Sequence, residues 1–387
     1  MKLTEADRPL SLRHLQRLTD CFGIVQHANY GLRDYRTGYT TDDNARALVV
    51  AVKHSRIHGD ASSRELAERY LAFLMYAHKS DGRFHNFIGF DRKPLDGVGS
   101  EDCFGRALWA LAWMLQAPPH AGLVGPAERM FHVALRWVSR LEHPRSKAAC
   151  ITALFRWMQA APMEQERARE LARPLVDSLI DRYREHSRPD WDWLLPEMTY
   201  ANAKLPEALF RGYQMLGEEE LLTVARRTMD FLCEKTFVDD LLCLVGNRGW
   251  YRSGADAPPL YDQQPIDASA MVDAALAGFD ATGAADYLRR AWLALGWFFG
   301  RNTQGTPLYD PGTGGCFDAL TETGVNQNRG AESTIALLSA QLSVLEARQR
   351  ISRRVLSQGE ISPGAEPAER AQIPSGILMN DSASPRR

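Results

Sequence analysis

The chain has 387 residues, 24% of them charged and 45% apolar, which is enough for a large buried core. Lys plus Arg number 46 against 48 Asp plus Glu, so the net charge is −2 and the basic excess of a general nucleic-acid binder is missing. No apolar run reaches the length of about eighteen residues that a membrane span needs, and the opening Met1-Lys2-Leu3-Thr4 has no signal-peptide core, which together predict a cytoplasmic protein.

Helical periodicity begins near residue 11 and recurs to about 348. Amphipathic segments with a charged face lie at about 11–22, 62–79, 125–142, 164–186, 218–235 and 285–301. Between them lie segments that are apolar nearly all round, at about 41–56, 101–117, 145–161, 199–216, 266–282 and 330–348. The first kind fits a surface helix and the second a buried one. Their strict alternation predicts an all-α fold, an (α/α)6 toroid of six inner and six outer helices, spanning 1–350 as a single domain. The competing arrangement is an open solenoid of helix pairs, with shorter and more uniform repeats. After about residue 350 the pattern stops, and 351–387, rich in Pro, Ser, Gly and Glu, is expected to be a disordered tail.

The links are unequal. Inner-to-outer links are short, as at His58-Gly59-Asp60-Ala61, whereas outer-to-inner links run long, at 23–40, 80–100, 187–198, 236–265 and 302–329. All the long ones would emerge at one face, beside the N-terminal ends of the inner helices, where a functional cup is expected. They mix Asp, Glu, Asn, Gln and Arg with Trp, Tyr and Phe. Amides, carboxylates and guanidinium groups suit the hydroxyl rim of a sugar, and flat rings suit its C–H face. Tyr30, Tyr39, Trp250 and Tyr251 are stacking candidates on this argument.

Other chemistries lack local support. The sequence has no GxGxxG, no GxxxxGK[ST] and no GxSxG, and its six scattered cysteines form no CxxC pair. No cofactor, metal or disulfide framework is expected.

The six-pair rhythm, Thr41-Asp42-Asp43-Asn44-Ala45-Arg46, Glu101-Asp102, Trp191 to Asn202 and Asn326 to Glu332 resemble the six-hairpin, (α/α)6-barrel glycosidase-like proteins. The resemblance is one of architecture and covers about residues 10–348. It implies a carbohydrate-active protein, most often a glycoside hydrolase, whose site lies in the cup. Phosphorylases, lyases, sugar epimerases and helical domains that accompany glycosyltransferases share the fold, so fold alone does not choose. A partner glycosyltransferase is therefore one expectation among these. Epimerases of this fold use histidine as acid and base. Here His27 and His85 are in site-side loops, but no inner helix beyond residue 60 offers one on a cavity face.

Glycoside hydrolysis needs a carboxylic acid to protonate the leaving oxygen and a carboxylate as base or nucleophile. Asp42, Asp43, Glu101, Asp102, Asp267 and Glu332 all fall in the first turns of inner helices, where acids also serve simply as helix-terminus charges. A helix N-terminus lowers a carboxylate's pKa, which suits a base, whereas an acid needs a raised one. Glu197, set among Trp193, Leu194, Leu195, Pro196 and Met198, is therefore the expected general acid, with Asp43 or Glu332 as the base. Substrate contacts are expected from Asp42, Glu101, Asp102, Trp191, Asp192, Trp193, Tyr200, Asn202, Tyr251, Gln264, Asp267, Asn326, Asn328 and Arg329. For the two tryptophans, core packing is the alternative. Arg46, Arg106 and Arg329 would pair with neighbouring acids or bind an anionic group on the substrate.

Overall fold

A computed structural model describes residues 10–359. Six long helices form the inner ring: α2 (Thr41–His58), α4 (Glu101–Gln116), α6 (Pro144–Ala160), α8 (Lys204–Leu216), α10 (Pro265–Thr282) and α12 (Ala331–Gly359). The outer positions are held by α1 (Arg13–Leu18), α3 (Ala61–Ala77), α5 (Val124–Ala134), α7 (Gln165–His186), α9 (Glu219–Thr236) and α11 (Ala285–Trp297). The inner helices touch in ring order from α2 to α10, and α3, α5, α7, α9 and α11 each pack on the inner helix before them. Ser343 of α12 closes the ring. It accepts a hydrogen bond from Lys53 Nζ of α2 at 2.7 Å and donates one to Asp273 of α10 at 2.8 Å. The closed toroid, not the open solenoid, is the observed architecture. Through Ala347 it is one compact unit.

The inner helices are apolar all round because both sides are covered. Ala107, Leu108, Ala110, Leu111 and Ala112 of α4 are all fully buried. Short links return the chain outward at once. α2, α8 and α10 end on Gly59, Gly217 and Gly283, each in the left-handed conformation, with φ of 67°, 74° and 73°. That conformation stops a helix and costs glycine little. Among the described residues no helix is long and apolar enough to cross a membrane.

Several boundaries differ from expectation: α1 stops at Leu18, α5 at Ala134 with 3-10 turns on to Arg140, and α11 at Trp297, short of the expected 22, 142 and 301. α8 starts at Lys204 and not near 199, because Ala201 has a positive φ of 47° and Asn202 folds back on Thr199. α12 continues to Gly359, so residues 351–359, expected in the tail, are helical. They include Arg353, Arg354, Leu356 and Gln358, which favour helix, and have no Gly or Pro until Gly359. The rest of the expected tail, 360–387, lies outside the described residues.

The long loops are held by two-stranded ladders of two residues per strand. β1 (Ala28–Asn29) pairs with β2 (Leu32–Arg33), and β3 (Tyr39–Thr40) with β4 (Phe87–Ile88). β5 (Glu197–Met198) pairs across a long sequence distance with β8 (Tyr251–Arg252), and β6 (Phe237–Val238) with β7 (Leu241–Leu242). β9 (Tyr309–Asp310) pairs with β10 (Gly315–Cys316), and β11 (Leu320–Thr321) with β12 (Gly324–Val325). The ladders bring neighbouring loops together around the N-terminal face of the inner ring.

Candidate active site

A cavity of about 90 Å³ opens at that face and is lined from all six inner helices and the turn before α8. Its walls include Arg46, Asp102, Arg106, Trp109, Arg145, Lys204, Ser269, Asp273 and Ser339. That space is several times what one water needs, so the cup admits a small polar group.

On one side, α2 and α12 place three acids around one cation. Arg46 Nη2 lies 2.8 Å from Asp43 and 3.1 Å from Glu332, and its Nε lies 2.7 Å from Asp42. The oxygens of Asp43 and Glu332 share that one nitrogen, so they are within about 6 Å of each other. Asp42 also takes an ion pair from Arg106 of α4. Thr40, the last residue of β3, caps α2 by accepting the Asp43 N–H at 3.0 Å and donates its hydroxyl to the Asp43 carboxylate at 2.6 Å.

These surroundings split the proton affinities. Burial pushes Asp42 up, but Arg106 and Arg46 outweigh it and hold its carboxyl at about 2. Burial, with the charges of Asp42 and Glu332, raises Asp43 to about 6 against the pull of Arg46. Across the ring, burial raises Asp267 of α10 to about 7, against the backbone of Ala201 and the charge of Arg145. For Asp43 and Asp267, burial therefore overrides the helix-terminus effect that the sequence argument relied on. The Glu332 side chain is 46% exposed.

On the α4–α6–α8 side, Asp102 accepts hydroxyl hydrogen bonds from Ser146 at 2.8 Å and Tyr200 at 2.5 Å. Burial and the Asp102 partner raise the Tyr200 phenol to about 12. Arg145 lies over the Tyr200 ring, 4.4 Å from its centroid, and donates to the Tyr200 carbonyl at 2.6 Å and the Thr199 hydroxyl at 2.5 Å. On the floor, Lys204 bridges Glu207 and Asp273, at 2.8 Å to each.

Of the residues singled out from sequence, Asp102 lines the cavity; Asp42, Asp43 and Glu332 surround Arg46, which lines it, Tyr200 binds Asp102, and Asp267 lies against the backbone of Ala201, another lining residue. The others are placed elsewhere. Glu197 lies on β5, 38% exposed and 3.2 Å from Arg252, so its apolar setting is not realised; the apolar neighbours turn into the core and Glu197 turns out. Trp191 and Trp193 are core residues at 2% and 0% exposure, and Tyr251 packs 5.0 Å from Trp191. Asp192 is held by the Tyr183 hydroxyl and Arg227, on outer helices. Glu101 accepts the backbone N–H groups of Glu142 and His143, and Asn202 forms the turn with Thr199. Asn326 and Asn328 order the loop before α12, accepting the N–H groups of Asn328 and Tyr30, while Arg329 pairs with Asp310 at 2.7 Å. Gln264 precedes α10 without capping it.

Sequence reasoning passed over Arg145, Lys204 and Asp273. Arg145 was findable, since it stands one residue inside an inner helix after Pro144. Lys204 and Asp273 face each other across sixty-nine positions, which no local pattern reveals. No histidine is among the described residues lining the cavity.

No protein-family model and no curated protein matches the chain. Solved structures do match in fold. A sugar epimerase from a ruminal bacterium superposes with a TM-score of 0.67 at 13% identity, covering 90% of this chain and 99% of the other. The cellobiose 2-epimerase of Spirochaeta thermophila DSM 6192 gives 0.68 at 15% identity, covering 91% and 96%. The α-1,6-mannanase of Salegentibacter sp. HEL1_6 gives 0.59 at 12% identity, covering 89% and 98%. The chain therefore has the six-hairpin (α/α)6 fold of these proteins.

Proposed function

We propose that the protein is a carbohydrate-active enzyme, and specifically a glycoside hydrolase working in the cup. The observation that carries this reading is the unlike surroundings of two carboxylates on adjoining helices beside the cup: Asp267 is buried against the backbone of Ala201, whereas Glu332 is exposed and paired with Arg46. Unlike surroundings are what set an acid apart from a base. Asp267, kept protonated by burial up to about pH 7, is the proton donor to the leaving oxygen. Glu332, exposed and held by Arg46, is the carboxylate that activates water or attacks the anomeric carbon. This assignment replaces Glu197 as acid and keeps Glu332 as base, with Asp43 and Arg46 setting its orientation.

A second reading is sugar epimerisation or isomerisation. The epimerase names of two similarly folded proteins favour it, and Asp267 would then carry a proton to and from a sugar carbon.

The test is NMR of an oligosaccharide panel incubated in D2O, with and without phosphate. Wild type is expected to release new reducing ends, and the product anomer tells direct attack from water activation. Phosphate dependence would identify a phosphorylase. Asp267→Asn and Glu332→Gln are each expected to lose about a hundred-fold or more in rate. Full activity in both variants overturns the assignment. Solvent deuterium at a sugar carbon without cleavage establishes the second reading. Binding with no turnover makes the chain a carbohydrate-binding module, alone or beside a glycosyltransferase.

A further inference from the structure

Four cations line the cup: Arg46, Arg106, Arg145 and Lys204. Three are matched by carboxylates in direct contact. Arg46 has Asp42, Asp43 and Glu332, Arg106 has Asp42, and Lys204 has Glu207 and Asp273. Arg145 has no carboxylate within salt-bridge distance among the described residues. Its two hydrogen bonds go to uncharged oxygens, the Tyr200 carbonyl and the Thr199 hydroxyl, and leave Nη1 without a hydrogen-bond partner among the described residues.

The placement is costly in two further ways. Burial disfavours the Arg145 charge. The group also stands in the first turn of α6, where the helix dipole repels cations. The first turns of α2, α4, α8, α10 and α12 all carry acids, and α6 carries none. Two acids feel Arg145 from a distance. Asp102 is bound at the hydroxyl end of Tyr200 and occupied by two hydroxyl donors. Asp267 is largely protonated up to about pH 7. A half-buried cation without a contacting anion is unfavourable, and an arriving anion relieves the desolvation cost and the dipole repulsion together.

We infer that the sugar taken by this cup carries an anionic group, a carboxylate or a phosphate, and that Arg145 seats it. The inference rests on the carbohydrate reading above and narrows it to acidic or phosphorylated sugars. A guanidinium with free N–H groups matches either oxyanion in a forked geometry.

The experiment is calorimetric binding with matched sugars: glucose against glucuronate, galactose against galacturonate, and glucose against glucose 6-phosphate. Wild type is expected to bind one anionic member about ten-fold or more tighter than its neutral twin, with added salt weakening only the anionic one. Which pair discriminates tells carboxylate from phosphate. In Arg145→Gln the ratio of anionic to neutral affinity is expected to fall to about three-fold or less, and Arg145→Lys is expected to keep part of it. Equal binding of both members by wild type overturns the inference without any variant, and so does an undiminished preference in a folded Arg145→Gln. If neutral sugars bind or turn over and anionic ones are not preferred, only this inference fails. If no sugar of either kind binds, the carbohydrate reading fails with it.

Discussion

A carboxylate in the first turn of a helix is ordinarily stabilised as the anion. Asp42, Asp43 and Asp267 all occupy such turns, yet only Asp42 is held low. The difference is the company each keeps in a buried place. Asp42 has two guanidinium groups, whereas Asp267 has backbone contacts and a distant Arg145. The consequence for stability has a definite sign. Unfolded, Asp267 titrates near 3.8, and folded, at about 7. Between those values the folded state holds the extra proton, so this residue's contribution falls as pH rises and its full penalty is carried above about 7. Asp267→Asn removes the charge at every pH and keeps an acceptor for the backbone N–H groups. The variant is expected to be more stable than wild type by about 1 kcal/mol or more at alkaline pH and to converge with it in acid. Melting curves across pH check this. A variant that is less stable at alkaline pH would show that the carboxylate is not carrying a burial penalty. The same variant is expected to lose activity, since the strained proton is the one proposed for catalysis.

At the scale of elements, the N-terminal end of each inner helix serves both as a helix cap and as part of the cup wall. Thr40 shows the coupling. It ends β3, caps α2 and holds Asp43 through its hydroxyl. Thr40→Ala is expected to cost about 1 kcal/mol, and Thr40→Ser to recover most of it, because serine retains the oxygen. Urea denaturation of the pair measures this, and an equal loss in both would place the cost in the methyl group instead. The helices themselves were legible in the sequence. A segment apolar all round can only be buried, and its alternation with charged-face segments leaves few arrangements. The long loops were legible as gathering at one face of the ring but not in their detail. Which side chain turns inward depends on pairings such as Glu197 with Arg252, which join positions far apart in the chain. It also depends on backbone states such as the positive φ of Ala201, which delays α8 and leaves Tyr200 in the turn beneath Arg145. Trp191 and Trp193 read as cleft residues because acids flank them. In the fold those acids face outward while the rings fill the core.

At the scale of the molecule, the site exists because the ring closes. Glu332 reaches Arg46, and Ser343 links Lys53 to Asp273, only when α12 stands between α10 and α2. α12 also buries Ile335, Leu337, Leu338, Leu342 and Val344. In a solenoid, removing a terminal helix subtracts one nearest-neighbour interface and leaves the rest standing. In a closed ring, the same removal bares both α2 and α10. It leaves Arg46 without Glu332, Asp273 without the Ser343 hydroxyl and Lys53 without its acceptor. A chain ending at Gly330 is therefore expected to lose its sharp thermal transition altogether, and not merely to melt a few degrees lower. A chain ending at Gly359 keeps α12 and every residue assigned to the cup, and is expected to melt like the full-length protein. Calorimetry of the two truncations separates the cases. A sharp, modestly lowered transition in the shorter chain would mean that five helix pairs hold together unaided. The cup would then have to be regarded as an assembly on a stable arc, and not as a product of closure.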